Sequence, residues 1–304
     1  MIFHGKRILV TGGTGSFGRH ITNQLLKTGA EEIRIFSRDE EKQLDMQREI
    51  TDERITYYIG DIRDADRINR VMEGIDIVYH AAALKIITTA ELNPDDAIKT
   101  NIQGTQNVKN ACIQNEVTSA VLISTDKAVK PVNLYGMTKA IAEKIWVATR
   151  PKPSCNFSVV RYGNVVGSRG SIVPFFKQLV TENKPIPITH ADMTRFLITL
   201  DQAIELVFNA TGSDGIIHVP IIPAAKVTDL VEAIAGPAYP TIKIGIRPGE
   251  KIHECLINEY EILITKQRGL SYLIGVKDPD HCLSDEFTSL TARKLSVEEI
   301  RGFL

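Results

Sequence analysis

The sequence predicts an α/β protein in which a doubly wound parallel sheet is followed by a smaller C-terminal lobe. In the first half, short β-rich runs alternate with helical patterns, as expected for a parallel sheet with helices on both faces. A glycine-rich turn joins the first strand to the first helix. After residue 163, glycine and proline become denser and the elements shorter. We therefore expect a sheet domain over residues 1–163 and a lobe over residues 164–304, with segments that return to the sheet.

The individual elements follow from local patterns. Short runs of apolar and β-branched residues predict strands at Arg7–Thr11, Ile33–Ser37, Ile55–Ile59, Ile75–His80, Ser119–Ser124 and Phe157–Tyr162. The segments between them predict helices at Phe17–Lys27, Asp39–Glu49, Ala65–Met72, Pro94–Gln114 and Gly136–Thr149. Pro94 suits the first turn of its helix, with Asn93 as the cap. The sequence Pro-Lys-Pro at 151–153 separates the last helix from the sixth strand.

The composition excludes several classes of protein. The 304 residues include 36 Lys and Arg against 37 Asp and Glu, so a polyanion such as nucleic acid or an acidic membrane surface is not an expected partner. No apolar run reaches the roughly 18 residues of a membrane span, and the strand that begins at Arg7 leaves no room for a signal peptide. The four cysteines show no metal-binding or disulfide spacing. We therefore expect no metal and a cytoplasmic protein.

The turn after the first strand predicts a dinucleotide site. Its glycines are spaced three apart, and a strand and a helix flank it as that function requires. Backbone N–H groups at such a helix start bind pyrophosphate, and glycine allows close approach. A structural turn would use glycine too, but the flanking elements favour a Rossmann-type site. The predicted cofactor contacts in this loop are Gly12, Thr14, Gly15, Ser16, Phe17 and Gly18.

The end of the second strand predicts which dinucleotide is bound. NAD-preferring proteins usually place an acidic residue there, on the ribose diol. This chain has Arg38, with Ser37 and Lys42 nearby, which suits the 2′-phosphate of NADP, although Arg38 also fits a solvated helix start. We therefore predict NADP in preference to NAD.

A Tyr-x-x-x-Lys pair at the start of a helix predicts redox chemistry. Tyr135 and Lys139 share one helix face, and a nearby ammonium would lower the tyrosine pKa from about 10 toward a value useful for a base. The preceding strand ends in Ser124 and Thr125, which supply hydroxyl partners. This order, together with the Gly-x-x-Gly-x-x-Gly spacing, resembles the short-chain dehydrogenase/reductase superfamily.

Asp126 and Lys127 follow directly, at the carboxyl end of the fifth strand, where open α/β sheets bind ligands. An adjacent acid and base suggest elimination of water, in which one group protonates a leaving hydroxyl and the other removes a carbon-bound proton. A loop ion pair or a helix cap explains the same two residues equally well from the sequence.

Almost the whole chain resembles the inverting UDP-N-acetylglucosamine 4,6-dehydratases, extended short-chain dehydrogenase/reductases grouped with CapD-like polysaccharide-biosynthesis proteins. Asp-Lys after Thr, where other sugar-nucleotide 4,6-dehydratases have Asp-Glu, is the specific mark. The matching stretches are Thr11–Gly18, Ser37–Glu40, Gly60–Asp64, His80–Lys85, Asn93–Pro94, Lys99–Gly104, Ser124–Ala128, Asn133–Lys139, Arg161–Gly170, Met193–Thr199, Arg247–Glu254 and Leu295–Glu299.

The resemblance implies roles for further residues and a reaction. It implies catalysis by Thr125, Asp126, Lys127, Tyr135 and Lys139, and further cofactor contacts at Asp61, Ile62, Ala81, Ser124 and Arg169. It also implies contacts to a UDP-sugar at Lys85, Asn164, Arg195, Arg247 and Lys251, a substrate-binding C-terminal lobe, and a homo-oligomer. In the implied mechanism a neutral Lys127 removes the C5 proton, with its pKa lowered by burial and by a neighbouring lysine.

Other interpretations remain open at this stage. A C4 epimerase or simple oxidoreductase would use the same fold, as would a non-catalytic NADP-binding regulator, but neither has a clear use for Asp126 and Lys127 together. The chain also departs from the family at Ile86–Thr88, where a short polar or Val-Pro segment is usual, so the resemblance leaves the fine shape of the sugar pocket and the exact hexose open.

Overall fold

A computed structural model describes residues 2–148, 154–168, 170–280 and 282–304. The predicted helix end at Thr149, the predicted break at 151–153 and the predicted cofactor contact Arg169 lie outside these ranges. The strands are β1 (Arg7–Thr11), β2 (Glu32–Ser37), β3 (Ile55–Ile59), β4 (Ile77–His80), β5 (Ser119–Thr125), β6 (Asn156–Tyr162), β7 (Asn164–Val165), β8 (Ile186–Ile188), β9 (Thr194–Ile198), β10 (Ile217–Pro220), β11 (Ala224–Lys226), β12 (Thr241–Lys243), β13 (Cys255–Ile257), β14 (Thr265–Arg268), β15 (Ser271–Ile274) and β16 (Phe287–Thr288).

The helices are α1 (Ser16–Leu26), α2 (Glu40–Glu49), α3 (Ala65–Met72), α4 (Ile87–Leu92), α5 (Pro94–Ile98), α6 (Gly104–Gln114), α7 (Leu134–Val147), α8 (Ile172–Thr181), α9 (Leu200–Ala210), α10 (Val227–Ala235) and α11 (Val297–Phe303). A π-helical turn spans Lys99–Gln103, and 3-10 turns span Asp126–Ala128 and Ile262–Ile264. Within the described ranges, no helix combines the length and apolarity that crossing a membrane requires.

The main sheet has nine strands in the order β14-β15-β10-β6-β5-β4-β1-β2-β3. The seven strands from β10 to β3 pair in parallel, and β15 and β14 add an antiparallel edge. The strand order reverses between β1 and β4, and a crevice at the carboxyl ends of the strands is expected there. The prediction of a Rossmann-type doubly wound sheet is confirmed.

The prediction of one continuous α-helix over Pro94–Gln114 is wrong in detail. The structure has α5, the π-helical turn and α6 in succession, preceded by α4, which the sequence analysis missed. Asn101 lies in the π-helical turn and is buried; its amide donates to Leu84 O at 3.0 Å and to Thr138 Oγ1 at 2.9 Å. A π-bulge commonly marks a site where a side chain is redirected, and these partners are distant in sequence, so helical periodicity does not predict it.

Two apolar cores underlie the cleft described below. The larger packs the main sheet against its helices, and it includes Trp146 and Phe157 in edge-to-face contact. The smaller lies within the C-terminal part of the chain, where Phe176, Met193 and Leu295 pack together among α8, α10 and α11. The strands β10, β14 and β15 of this C-terminal part join the main sheet. The cleft lies between the carboxyl edge of the sheet and the elements around the smaller core.

Candidate active site

One cleft of about 1090 Å³ runs along the carboxyl ends of the parallel strands, between the glycine-rich turn and the C-terminal part. This volume is slightly above the usual range for small-molecule sites, about 300–1,000 Å³. Of the predicted site residues that the structure describes, all line this cleft except Asp126 and Lys251. Residues from Gly12 to Arg247 therefore meet in one place, and the Ile86–Thr88 segment that departs from the family pattern also lines it.

The glycine-rich turn is built so tightly that side chains are excluded at two of its glycines. Gly12 has φ +67°, and a Cβ there would lie 2.9 Å from the Ala82 backbone. A Cβ at Gly18 would lie 2.3 Å from Gly13 O, since α1 packs directly on the turn. Gly15 is the N-cap of α1, and none of the described side chains caps it. The helix start thus presents backbone donors to the cleft, as a pyrophosphate site requires.

Beyond the carboxyl end of β2, each predicted cation has an acidic neighbour. Lys42 forms an ion pair with Asp39, which also caps α2. Arg38 is half exposed and lies 3.7 Å from Asp61. The Ser37 hydroxyl accepts a hydrogen bond from Gln43 at 3.0 Å. Arg38 is thus the cation most open to an incoming ligand among these groups, and Asp39 is an acid that the sequence analysis did not weigh.

The Tyr135 helix start is fixed by its cap. Asn133 accepts from Gly136 N at 2.8 Å and donates to Gly249 O at 2.7 Å. Lys139 is buried and donates to Ile123 O at 2.7 Å. Burial lowers the Lys139 pKa to about 8, and the nearby carboxylate of Glu143 only partly offsets this.

The expected lowering of the Tyr135 pKa by Lys139 is not what the structure shows. Burial has the largest effect and raises the Tyr135 pKa to about 12, while the cation that opposes this rise is Lys127. Thr125 hydrogen-bonds to Tyr135 and lowers its pKa slightly. The Thr125 hydroxyl also donates to Asp126 Oδ1 at 2.9 Å. Thr125 therefore connects the tyrosine with the acid of the adjacent turn.

Asp126 and Lys127 form an ion pair in the cleft wall. Lys127 Nζ donates to Asp126 Oδ1 at 3.0 Å. Asp126 is fully buried, and its Oδ2 has no hydrogen-bond partner among the described residues. Burial raises the Asp126 pKa, and Lys127 opposes that rise. The loop ion pair considered from the sequence is thus present, and it lies directly beside Tyr135.

The prediction that burial and neighbouring lysines lower the Lys127 pKa is wrong. Burial does disfavour the ammonium, but the carboxylates of Asp126 and Glu254 outweigh burial and raise the pKa above its usual value. Lys127 Nζ lies 3.7 Å from Glu254 Oε1. Glu254 is 3% exposed and lines the cleft. Sequence reasoning missed this carboxylate, because it lies far along the chain and its only signal was membership of the matching stretch Arg247–Glu254.

The Ser124 hydroxyl is bound to a buried network of ion pairs. Its hydroxyl donates to Glu143 Oε1 at 2.5 Å, and Glu143 accepts from Arg161 at 2.6 Å and 3.1 Å. Arg161, which is 2% exposed, also donates to Glu261 at 2.9 Å and 3.0 Å. Ser124 lines the cleft, but this buried ion network holds its hydroxyl.

The predicted sugar-nucleotide contacts divide into two groups. Arg195 donates to Thr194 O, Lys251 O and Ile252 O at 2.7–3.2 Å, and Lys251 donates to Val129 O at 2.7 Å. These two cations therefore bind protein carbonyls. Arg195 nevertheless lines the cleft, as do the other three predicted contacts. Of these three, Lys85 is exposed, Arg247 is half exposed and lies 3.8 Å from Glu250, and Asn164 has a buried Oδ1 without a hydrogen-bond partner in the described part of the chain.

Comparisons with known proteins agree with this architecture. A model of the polysaccharide biosynthesis protein family matches residues 8–274. A Campylobacter jejuni protein named UDP-N-acetylglucosamine 4,6-dehydratase (inverting) is 46% identical over 281 residues, which cover 90% of this chain and 84% of that protein. A Rickettsia bellii protein named UDP-glucose 4-epimerase is 39% identical, covering 100% of this chain and 96% of the other.

Solved structures show the same fold. The X-ray structure of Pen from Bacillus thuringiensis superposes with a TM-score of 0.94 at 35% identity, covering 99% of this chain and 97% of that one. DesIV, a dTDP-glucose 4,6-dehydratase from Streptomyces venezuelae with NAD and TYD bound, superposes with a TM-score of 0.74 at 22% identity, covering 81% and 86%.

Proposed function

The chain belongs to the polysaccharide biosynthesis protein family, and on that premise we propose that it is a hydro-lyase, an NADP-dependent 4,6-dehydratase of a UDP-N-acetylhexosamine. The proposed substrate is UDP-N-acetylglucosamine, and the proposed product is a UDP-4-keto-6-deoxy sugar inverted at C5, for surface glycan synthesis. The observation that carries the proposal is the ion pair of Asp126 and Lys127 beside Tyr135. A simple oxidoreductase needs no such pair.

The residues of the cleft fit a dinucleotide. The turn that excludes a Cβ at Gly12 and at Gly18, and the uncapped start of α1, support a pyrophosphate there. A bound dinucleotide would supply the acceptor for hydride from C4 of the sugar and the donor of hydride to C6, so none would be consumed. Arg38, half exposed at the end of β2, supports NADP in preference to NAD. Tyr135 accepts the C4 hydroxyl proton in its phenolate form, which the ammonium of Lys127 stabilises, and Thr125 orients the tyrosine.

The pair of Asp126 and Lys127 is proposed to work as a unit. The resting forms favoured by their contacts are a carboxylate and an ammonium, joined by a 3.0 Å hydrogen bond. Transfer of one proton across that bond gives a carboxylic acid and a neutral amine, with no net change in charge. The amine then takes the C5 proton, which the C4 ketone makes acidic, and the acid protonates the departing C6 hydroxyl as water leaves. Once hydride has been added at C6, C5 takes a proton derived from solvent on the opposite face, which gives the inverted product. Complete burial of Asp126 supports a neutral acid there.

Residues 164–304 are proposed to form the substrate-binding lobe. Arg247 is half exposed in the cleft, and its guanidinium suits a diphosphate. The Oδ1 of Asn164, which has no hydrogen-bond partner within the described ranges, supports a contact to the sugar nucleotide. Arg195 and Lys251 contact the diphosphate only if it displaces the carbonyls that they bind now. Their present contacts support a role in holding the segment around residues 251–252.

A proton NMR time course with UDP-N-acetylglucosamine tests the proposal. We expect a new C6 methyl doublet and a C4 keto or hydrate product from the wild type, and a single deuterium at C5 when the reaction is run in D₂O. Lys127→Ala and Asp126→Asn should each remove this product, and Glu298→Gln on the surface of α11 serves as the control. Release of water by either catalytic-pair variant at the wild-type rate would contradict the proposed roles.

A C4 epimerase is the second candidate, because the Rickettsia relative carries that name. It would convert the substrate into its C4 epimer without a methyl signal in the same spectra. Binding of UDP-sugars without any turnover would instead favour a non-catalytic regulator. Mass analysis of the bound nucleotide, and its affinity relative to the other dinucleotide, separates NADP from NAD.

A further inference from the structure

Glu254 is a buried carboxylate surrounded by three cations, and the steps proposed above do not use it. Its Oε1 lies 3.7 Å from Lys127 Nζ and 4.0 Å from Arg195 Nε, and its Oε2 lies 3.3 Å from Lys251 Nζ. Only 3% of the residue is exposed, and it lines the cleft. A carboxylate is removed from water at a considerable cost unless charges pair with it, so its position beside Lys127 needs an explanation.

The backbone around Glu254 is anchored from behind. Glu254 N donates to Ser289 Oγ at 2.8 Å, and Ser289 N donates to Glu254 O at 2.7 Å. Ser289 is fully buried, and its hydroxyl lies 2.7 Å from Thr194 Oγ1, next to Arg195 on β9. Glu254 directly precedes β13, which pairs with β16. These contacts fix where the carboxylate can lie, which is the arrangement expected of a residue that orients another group.

We infer that Glu254 is a positioning residue for Lys127, whose ammonium it holds in the cleft between its own carboxylate and that of Asp126. The inference rests on the proposed dehydration, in which Lys127 is the base. Lys127 Nζ has two carboxylate neighbours at 3.0 Å and 3.7 Å. With Asp126 alone, Lys127 would have a single ion-pair partner. That partner becomes a neutral carboxylic acid during the proposed reaction. Glu254 supplies the partner that stays ionised, because Lys127, Arg195 and Lys251 outweigh its burial and lower its pKa.

The titratable groups that face Lys127 come from four places in the fold. Asp126 lies on the same 3-10 turn, Glu254 precedes β13, Arg195 belongs to β9, and the neutral Tyr135 lies in the first turn of α7. The two carboxylates raise the Lys127 pKa, whereas burial and Arg195 lower it. Removing Glu254 takes away one of the two raising charges and leaves the lowering ones in place. The Lys127 pKa must then fall, and an opposite charge at this range accounts for about 1–3 pKa units.

The test uses Glu254→Gln, which keeps the shape and removes the charge. The Lys127 pKa is measured by NMR titration of ¹³Cε-labelled lysine, with the signal assigned by its absence from Lys127→Met. We expect the Lys127 pKa to fall by about one unit or more, and kcat to fall about 10- to 100-fold at unchanged KM, as a misplaced catalytic group predicts. Glu254→Asp should restore part of both, because it keeps the charge on a shorter side chain.

Glu259→Gln is the matched control. It removes a carboxylate that lies five residues further along and pairs with Lys130 at 2.7 Å at the exposed end of the same region. The Lys127 pKa and kcat should not change in this variant. An unchanged Lys127 pKa in Glu254→Gln, with only a lower unfolding midpoint, would overturn the inference and leave Glu254 as a structural ion-pair partner of Arg195. If the Lys127 pKa falls but the wild type forms no dehydrated sugar, the positioning stands and the proposed function fails.

Discussion

The segment that carries Tyr135 and the turn of Asp126–Ala128 pack tightly together at Gly136, in the first turn of α7. A Cβ at this position would lie 2.2 Å from Lys127 O, whereas real Cβ contacts are essentially never shorter than 3.0 Å. The obstacle is a backbone carbonyl, which has no flexible end to move aside. In Gly136→Ala, α7 and the turn of Asp126–Ala128 must therefore separate by about 0.8 Å or more.

This separation should affect both catalysis and stability. The Tyr135 hydroxyl and the Lys127 amine would shift relative to each other, and a displacement near 1 Å costs up to about 100-fold in rate. Overpacking of this kind also lowers the free energy of unfolding by about 1–3 kcal/mol. The shift would strain the hydrogen bond from Gly136 N to Asn133 Oδ1, now 2.8 Å long.

The assay combines NMR product formation with urea unfolding followed by circular dichroism. Gly302→Ala is the control, because Gly302 is also helical and a Cβ there would meet no atom within 4 Å. That control should keep its rate and be unchanged or up to about 1 kcal/mol more stable, as alanine is the better helix former. A Gly136→Ala protein with wild-type kcat and wild-type stability would refute the inferred contact between the two segments.

Two further predictions concern buried charges. Arg161→Met leaves Glu143 and Glu261 without their shared cation, so the free energy of unfolding in urea should fall by about 3–5 kcal/mol. The control Arg293→Met breaks an exposed ion pair and should lower the free energy of unfolding by under about 1 kcal/mol. Equal losses in the two variants would contradict the buried network. For Lys139, the pKa is about 8 in the folded chain against an ordinary 10.5, so the unfolded chain binds more protons between these pH values and stability rises with pH there. Relative to Lys139→Met, the wild type should gain about 3 kcal/mol between pH 8 and 10.5 in urea unfolding, whereas a constant difference would show that the lysine titrates normally.

Short-range patterns predicted the main sheet well. Strands such as Arg7–Thr11 and Ile55–Ile59, and the helix Ala65–Met72, have the predicted bounds, because alternating apolar and helical patterns report local burial. The same reasoning failed at Pro94–Gln114, where the π-helical turn is held by Asn101 contacts with Leu84 and Thr138. These partners lie on other segments, and no periodicity within the helix reports them.

The glycine-rich turn could be predicted because the features that identify it are close together in the sequence. The strand, the glycine spacing and the start of the helix follow one another directly. Nearly every described site residue that the sequence predicted does line the cleft, although many other residues line it too. The sequence did not determine the pKa values of Lys127 and Tyr135. The Lys127 pKa was expected to fall from its burial and its neighbouring lysines, but the structure places two carboxylates at its amine. One of them, Glu254, is 127 residues away in the chain.

The sequence by itself therefore determined which fold forms and placed the predicted side chains at strand ends and glycine turns that open on the cleft, since neighbouring residues encode these features. Only the tertiary structure decided how the charges of those side chains shift one another's pKa values. The pKa of a buried group depends on charges within about 4–6 Å and on its exposure to water. Folding brings β9, the segment before β13 and the 126–128 turn together, so the protonation of Lys127 belongs to the assembled cleft and not to any stretch of the chain.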